Sequence, residues 1–193
     1  MSALPAEASV RPPAVRLASA AVVVAGSAAL LARPLLTGAV ANPTPELAVL
    51  FVALGLAGLF SPVARAQPVT PVAPAAALAV GLSAFALGRL LGAGGTVFLP
   101  WPVAPLLLNG LAAVAEEAFF RRLLYGLLAP RGAAVATVGS AVCFAAVHVT
   151  VWGLAVLPLD LAAGLLLGWQ RAATGRWAVP AVTHVAANVL AVL

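Results

Sequence analysis

The sequence predicts an all-α fold, a polytopic transmembrane helical bundle of about seven spans. Two observations carry that expectation. Of the 193 residues, 64% are hydrophobic and 8% charged, and the mean hydropathy is +1.13. A globular domain draws roughly a quarter of its residues from Asp, Glu, Lys and Arg. A chain this poor in charge cannot cover a water-soluble body with polar surface. The second observation is spacing. Arg, Pro and Gly divide the chain into about seven apolar runs, each near the roughly 20 residues that a bilayer core requires of a helix.

The runs follow in order. Residues 1–13 form a short polar, Pro-containing tail, and residues 15–36 the first run. Arg11 and Arg16 in front of that run imitate a signal peptide, but six further spans follow, so an uncleaved first helix is expected. The runs 46–64 and 70–91 hold no acid or histidine well inside them. The fourth, 102–129, carries Glu116, Glu117, Arg121, Arg122 and Tyr125 amid apolar residues. Pro130-Arg131-Gly132 is a turn signal, so the fifth run, 132–149, returns antiparallel and brings His148. The sixth, 152–170, holds Asp160, and the last, 177–193, holds His184 and Asn188. Residues 1–95 therefore read as scaffold helices and 96–193 as the core that carries the chemistry.

Charge sets the expected orientation. With a cytoplasmic N-terminus, Arg11, Arg16, Arg65, Arg121, Arg122, Arg131, Arg171 and Arg176 fall on the inner side, and only Arg33 and Arg89 toward the outer side. That asymmetry follows the positive-inside rule. An odd number of spans then puts Leu193 outside. Trp101, Trp152, Trp169 and Trp177 fall near span ends, as an aromatic belt would place them. The net charge of +5, from 10 Arg and 5 acids, is too thinly spread for a nucleic-acid surface. A single cysteine excludes an intramolecular disulfide and any Cys-based metal cluster. Cys143 reads as a small buried hydrophobe. The expected setting is the lipid bilayer of a bacterial cytoplasmic membrane.

Ionisable groups inside hydrocarbon are costly, so their concentration in the second half points to chemistry. Glu117 and Arg121 stand at i,i+4 with the acid first, the favourable order for a helical ion pair. Glu116 points about 100° away, and its i+4 neighbour is Phe120. The expectation is that Arg121 holds Glu117 while Glu116 stays available as a general base acting on water, shared with His148. His184 and Asn188 are again i,i+4 and can donate hydrogen bonds to a developing oxyanion. A carboxylate base, a helper histidine and two donors make a hydrolytic set for a carbonyl substrate.

Three motifs in order carry a resemblance. Glu116-Glu117-Ala118-Phe119-Phe120-Arg121 matches EExxxR, Phe144 to His148 matches FxxxH, and His184 to Asn188 matches HxxxN. Together they resemble the CPBP family of CAAX proteases and bacteriocin-processing enzymes, which includes the Ras-converting CAAX endopeptidase and myxosortase-like members. The resemblance spans about residues 100–193. It implies an intramembrane glutamic-type endopeptidase. Glu116 and His148 would activate water, His184 and Asn188 would stabilise the oxyanion, and Glu117 and Arg121 would support the site. Arg122 departs from the pattern, since many members have Gly there. The implied partner is a membrane-anchored protein or peptide substrate, cut near its C-terminus. Glu116, His148 and His184 also have the donor types of a His2Glu zinc set. The resemblance favours a metal-free mechanism, so no cofactor is expected. The rival readings are a non-proteolytic immunity or scaffold protein of the same family and, further off, a proton-coupled transporter. Asp160 belongs to none of the motifs and is left outside the expected site.

Overall fold

A computed structural model describes residues 12–63, 68, 69, 71–92 and 103–190. The expectations for residues 1–11, Arg65, Trp101 and Leu193 lie outside the described residues. Each apolar run folds as helix: α1 (Pro13–Ala39), α2 (Thr44–Phe60), α3 (Pro74–Leu91), α4 (Val103–Glu117), α5 (Ala133–Trp152), α6 (Leu157–Thr174) and α7 (Ala178–Leu190). The fourth run continues past α4 as a wide turn, Ala118–Leu124, with i→i+5 hydrogen bonding, and ends in an ordinary turn, Tyr125–Leu128. Three of these helices, α1, α3 and α5, are long and apolar enough to cross a membrane by length and composition, while α2 and α7 are shorter apolar helices.

Local chemistry sets the helix ends. A proline occupies one of the first two positions of α1, α2, α3 and α6, where a missing N–H costs nothing and the fixed φ suits helix entry. Gly175, at φ +67°, caps α6 in the left-handed conformation, its N–H bonding back to Arg171 O at 3.0 Å. Within α1 the helix breaks at Ala32, since Pro34 has no N–H to continue the ladder and crowds the residue before it. The break places Arg33 at a bend.

The fourth run is the axis of the bundle. Of the seven residues in the wide turn, Ala118, Phe119, Phe120, Arg121, Leu123 and Leu124 are all buried. A segment buried on every side must be enclosed by other helices, and α1, α2, α5 and α6 supply that enclosure. Leu30 of α1 and Phe51 and Leu54 of α2 share one core with Phe119, Phe120, Phe144 and Val147. The two stretches of the chain are thus joined through common apolar contacts.

Two seams depend on glycine. A Cβ at Gly58 would lie 2.5 Å from Ala118 C and 2.7 Å from Phe119 N, so the backbone of α2 touches the backbone of the wide turn. Gly164 and Gly168 form a Gly-xxx-Gly pair that sits on Ala141 and Thr137 of α5, a small-residue contact typical of membrane helices. Running antiparallel, that register puts Asp160, one turn before Gly164, level with Ala145, about one turn short of His148 and within side-chain reach of it. Arg122, read from the sequence as an inner-side charge, follows Arg121 in the wide turn. It donates to the Gly58 and Ser61 carbonyls (3.1 Å to Ser61 O), closing the C-terminal end of α2. Gln170, fully buried, donates to Ala77 O and Thr183 Oγ1, both at 2.8 Å, and so fixes α3, α6 and α7 in rotation. Cys143 is a free, half-buried thiol against the core.

Candidate active site

The polar residues of α4, α5 and α7 meet in one cluster. Glu117 and Arg121 are each fully buried and lie 3.2 Å apart, Oε1 to Nη1, as the i,i+4 spacing predicts. The contact is a close ion pair and not an aligned hydrogen bond. Arg121 also donates from Nη2 to Gly164 O at 3.3 Å, and its guanidinium stacks 4.5 Å from the centroid of Phe144. The carbonyl of Arg121 accepts from Arg171 Nε at 3.0 Å. The widened turn is therefore pinned from α6 at both its side chain and its main chain. Wide turns of this kind recur at functional sites.

His184 Nδ1 lies 3.0 Å from Glu117 Oε1. A carboxylate only accepts, so the proton between them sits on Nδ1. Sequence spacing does not reveal this partner, because it joins helices 67 residues apart. One turn on, Asn188 Nδ2 donates to Asn109 O at 3.2 Å, which uses one of its two N–H groups. Thus His184 and Asn188 share the face of α7 turned to α4, as their spacing implies.

Glu116 is 3% exposed and takes its neighbours from other helices. Its Oε2 is 3.9 Å from His148 Nε2, and its Oε1 is 3.6 Å from Arg33 Nη1. His148 Nδ1 lies 2.8 Å from Phe144 O, which again accepts only, so His148 bears its proton on Nδ1 and turns Nε2 to Glu116. Asp160 Oδ2 stands 3.6 Å from the same Nδ1. The phenylalanine of the FxxxH motif acquires a physical role here. Its carbonyl orients His148, and its ring lies 4.7 Å from the His148 ring and 5.6 Å from that of His184.

Residues 97–190 match the model of the family described as type II CAAX prenyl endopeptidase, Rce1-like. This half of the chain belongs to that family. No curated protein and no solved structure matches the chain. At the family level the match supports a CAAX-type intramembrane protease, and together with the apolar helices it supports an integral membrane protein. Glu116, Glu117, Arg121, His148, His184 and Asn188 all lie within the matched residues.

Two residues enter this Rce1-like site that the sequence reading placed elsewhere. Arg33, read only as a charge marking the outer side, reaches Glu116 from the bend of α1, outside the matched segment. Glu116 therefore has a cationic neighbour that its i+4 position does not provide. Asp160, left out of the expected site, faces His148 across the α5–α6 seam. Its signal in the sequence is the Gly-xxx-Gly pair one turn away, diluted in a chain with 17 glycines. Among the described residues no three His, Cys, Asp or Glu side chains converge as a group that could hold a metal ion. His184 Nδ1 is directed to Glu117, and His148 Nδ1 to Phe144 O.

Proposed function

We propose that the chain is a glutamic-type intramembrane endopeptidase that hydrolyses a peptide bond of a membrane-anchored protein, near its C-terminus, without a metal ion. The observation that carries this reading is the opposition of Glu116 Oε2 and His148 Nε2 across 3.9 Å. The gap is too long for a direct hydrogen bond, yet a water molecule about 2.8 Å from each atom satisfies both.

In this mechanism Glu116 accepts a proton as the water oxygen attacks the scissile carbonyl carbon. His148, its proton held on Nδ1, orients the same water through Nε2. The tetrahedral oxyanion is met by the second N–H of Asn188 and by His184. Because Nδ1 of His184 already donates to Glu117, donation from Nε2 requires the protonated ring, whose charge Glu117 offsets. Arg121 and Arg171 keep Glu117 and its turn in place. The C–N bond then breaks, and the proton taken by Glu116 passes to the leaving amine. Chelator treatment of the purified enzyme tests the metal-free part: activity is expected to persist, and a loss reversed by zinc would refute it.

The decisive experiment is terminal proteomics on membranes from cells that hold wild type or Glu116→Gln at matched levels. New peptide ends specific to wild type are expected. Identical termini, with both proteins folded and substrates expressed, would refute proteolysis and favour the immunity or scaffold role.

A further inference from the structure

Between the first turns of α1 and the end of the fourth run lies a groove of about 590 Å³ that the chemistry of Glu116 does not use. Its walls are two helical stripes. Arg16, Leu17, Ala20 and Val24 stand at i, i+1, i+4 and i+8 on α1, and Leu124, Leu128 and Arg131 at i, i+4 and i+7 on the facing segment. The volume lies in the range of sites that bury a small ligand. Leu17 and Val24 are 73% and 70% exposed, so the groove opens sideways from the bundle. The two segments run antiparallel, since Arg33 meets Glu116 further along both, while Arg16 and Arg131 meet at the groove. Both arginines therefore stand at one mouth, and every other lining residue is apolar. Among the described residues neither arginine side chain has a hydrogen bond or an ion pair, and no acid lines the groove. Two like charges at one mouth repel, and an anion placed between them turns that repulsion into attraction. From Arg16 to Val24 the groove follows α1 for about 12 Å, close to the roughly 15 Å of half a bilayer core.

We propose that this groove binds one anionic phospholipid, its phosphate between Arg16 and Arg131 and an acyl chain along Leu17, Val24, Leu124 and Leu128. An arginine that only sets topology projects into water beside the bilayer. These two close the end of an apolar channel one leaflet deep. A ligand that satisfies both parts has an anionic head and a hydrocarbon tail, and basic pockets between membrane helices take such lipids. The site needs neither Glu116 nor cleavage, so it is independent of the protease reading.

The test measures head and tail separately. The delipidated full chain in a neutral detergent is titrated with dioleoyl phosphatidylglycerol or dioleoyl phosphatidylcholine, and occupancy by the first bound lipid is read by native mass spectrometry. About fivefold per arginine predicts a preference for phosphatidylglycerol of about 30-fold. Both arginines are exposed, so glutamine in their place leaves the core untouched. In Arg16→Gln/Arg131→Gln the preference is expected below about 3-fold. Ala20→Phe puts a ring into the groove with both arginines intact, and it is expected to weaken phosphatidylglycerol by about 10-fold. Equal binding of the two lipids by wild type, or a preference that survives the loss of both arginines, overturns the proposal. Unchanged affinity in Ala20→Phe, or displacement by equimolar glycerol phosphate, shows that the arginines hold a free phosphate and the groove no lipid, which also overturns it. Displacement of phosphatidylglycerol by an equimolar palmitoylated apolar peptide would give the groove to the substrate and overturn it as well.

Discussion

Replacing Asp160 by Asn removes a charge while keeping nearly the same shape. Asp160 acts through His148, holding its Nδ1 side from 3.6 Å while Phe144 O holds it from 2.8 Å. The carbonyl contact survives the substitution, so the ring keeps its orientation and only the electrostatic support is lost. At 3.6 Å a full charge pair is worth about 4–5 kcal/mol at an effective dielectric near 20. If His148, through Nε2, shares the proton that Glu116 takes from the water and so gains about half a positive charge, the loss is about 2 kcal/mol, or about 30-fold in rate. The support strengthens only as charge appears, so the loss is expected in kcat with KM nearly unchanged. Turnover of an identified substrate in proteoliposomes, at matched amounts of folded enzyme, measures it. A fall of less than about 3-fold, or a change confined to KM, would refute a positioning role for Asp160.

The other expectations concern the frame. Glu117→Gln or Arg121→Gln alone leaves one fully buried charge without its partner and is expected to cost about 3–5 kcal/mol. The double substitution should cost less than the sum of the two, as read from thermal unfolding in detergent, and strict additivity would contradict the pairing. Gly58→Ala drives a methyl group to 2.5 Å from the carbonyl carbon of Ala118, against backbone that cannot rotate away. The expected cost is about 1–3 kcal/mol, with a lower melting temperature; an unchanged melting temperature would show that the seam yields.

What could be read from the sequence was local. The helical state of the apolar runs, the order of acid and base within Glu117–Arg121, and the shared face of His184 and Asn188 all depend on distances along one helix, where 3.6 residues per turn suffices. The partners across helices were harder to read. Arg33 lies 83 positions before Glu116 in the chain, and an arginine near a span end is equally a topology signal. Asp160 meets His148 only because Gly164 and Gly168 fix the register of α5 on α6, and in a chain dominated by small residues that pair does not stand out. The widened turn after Glu117 has no composition of its own. Its bulky residues face inward on all sides, which reflects enclosure by neighbours and not a periodic pattern. The hydrogen bond of His184 to Glu117 likewise needed the packing of α7 on α4, which spacing within either helix does not set.

The seams at Gly58 and Gly164 differ in kind from the remainder of the core. Where two side chains meet, either can change rotamer and absorb a disturbance. At Gly58 the main chain of α2 rests on the main chain of the turn that follows Glu117, and at Gly164 the main chain of α6 rests on α5 below His148. Such joints behave like dowels between boards, since they slide or separate but do not flex. The spacing of Glu116, His148 and Asp160 is therefore machined by two residues without side chains, and its tolerance is that of peptide geometry.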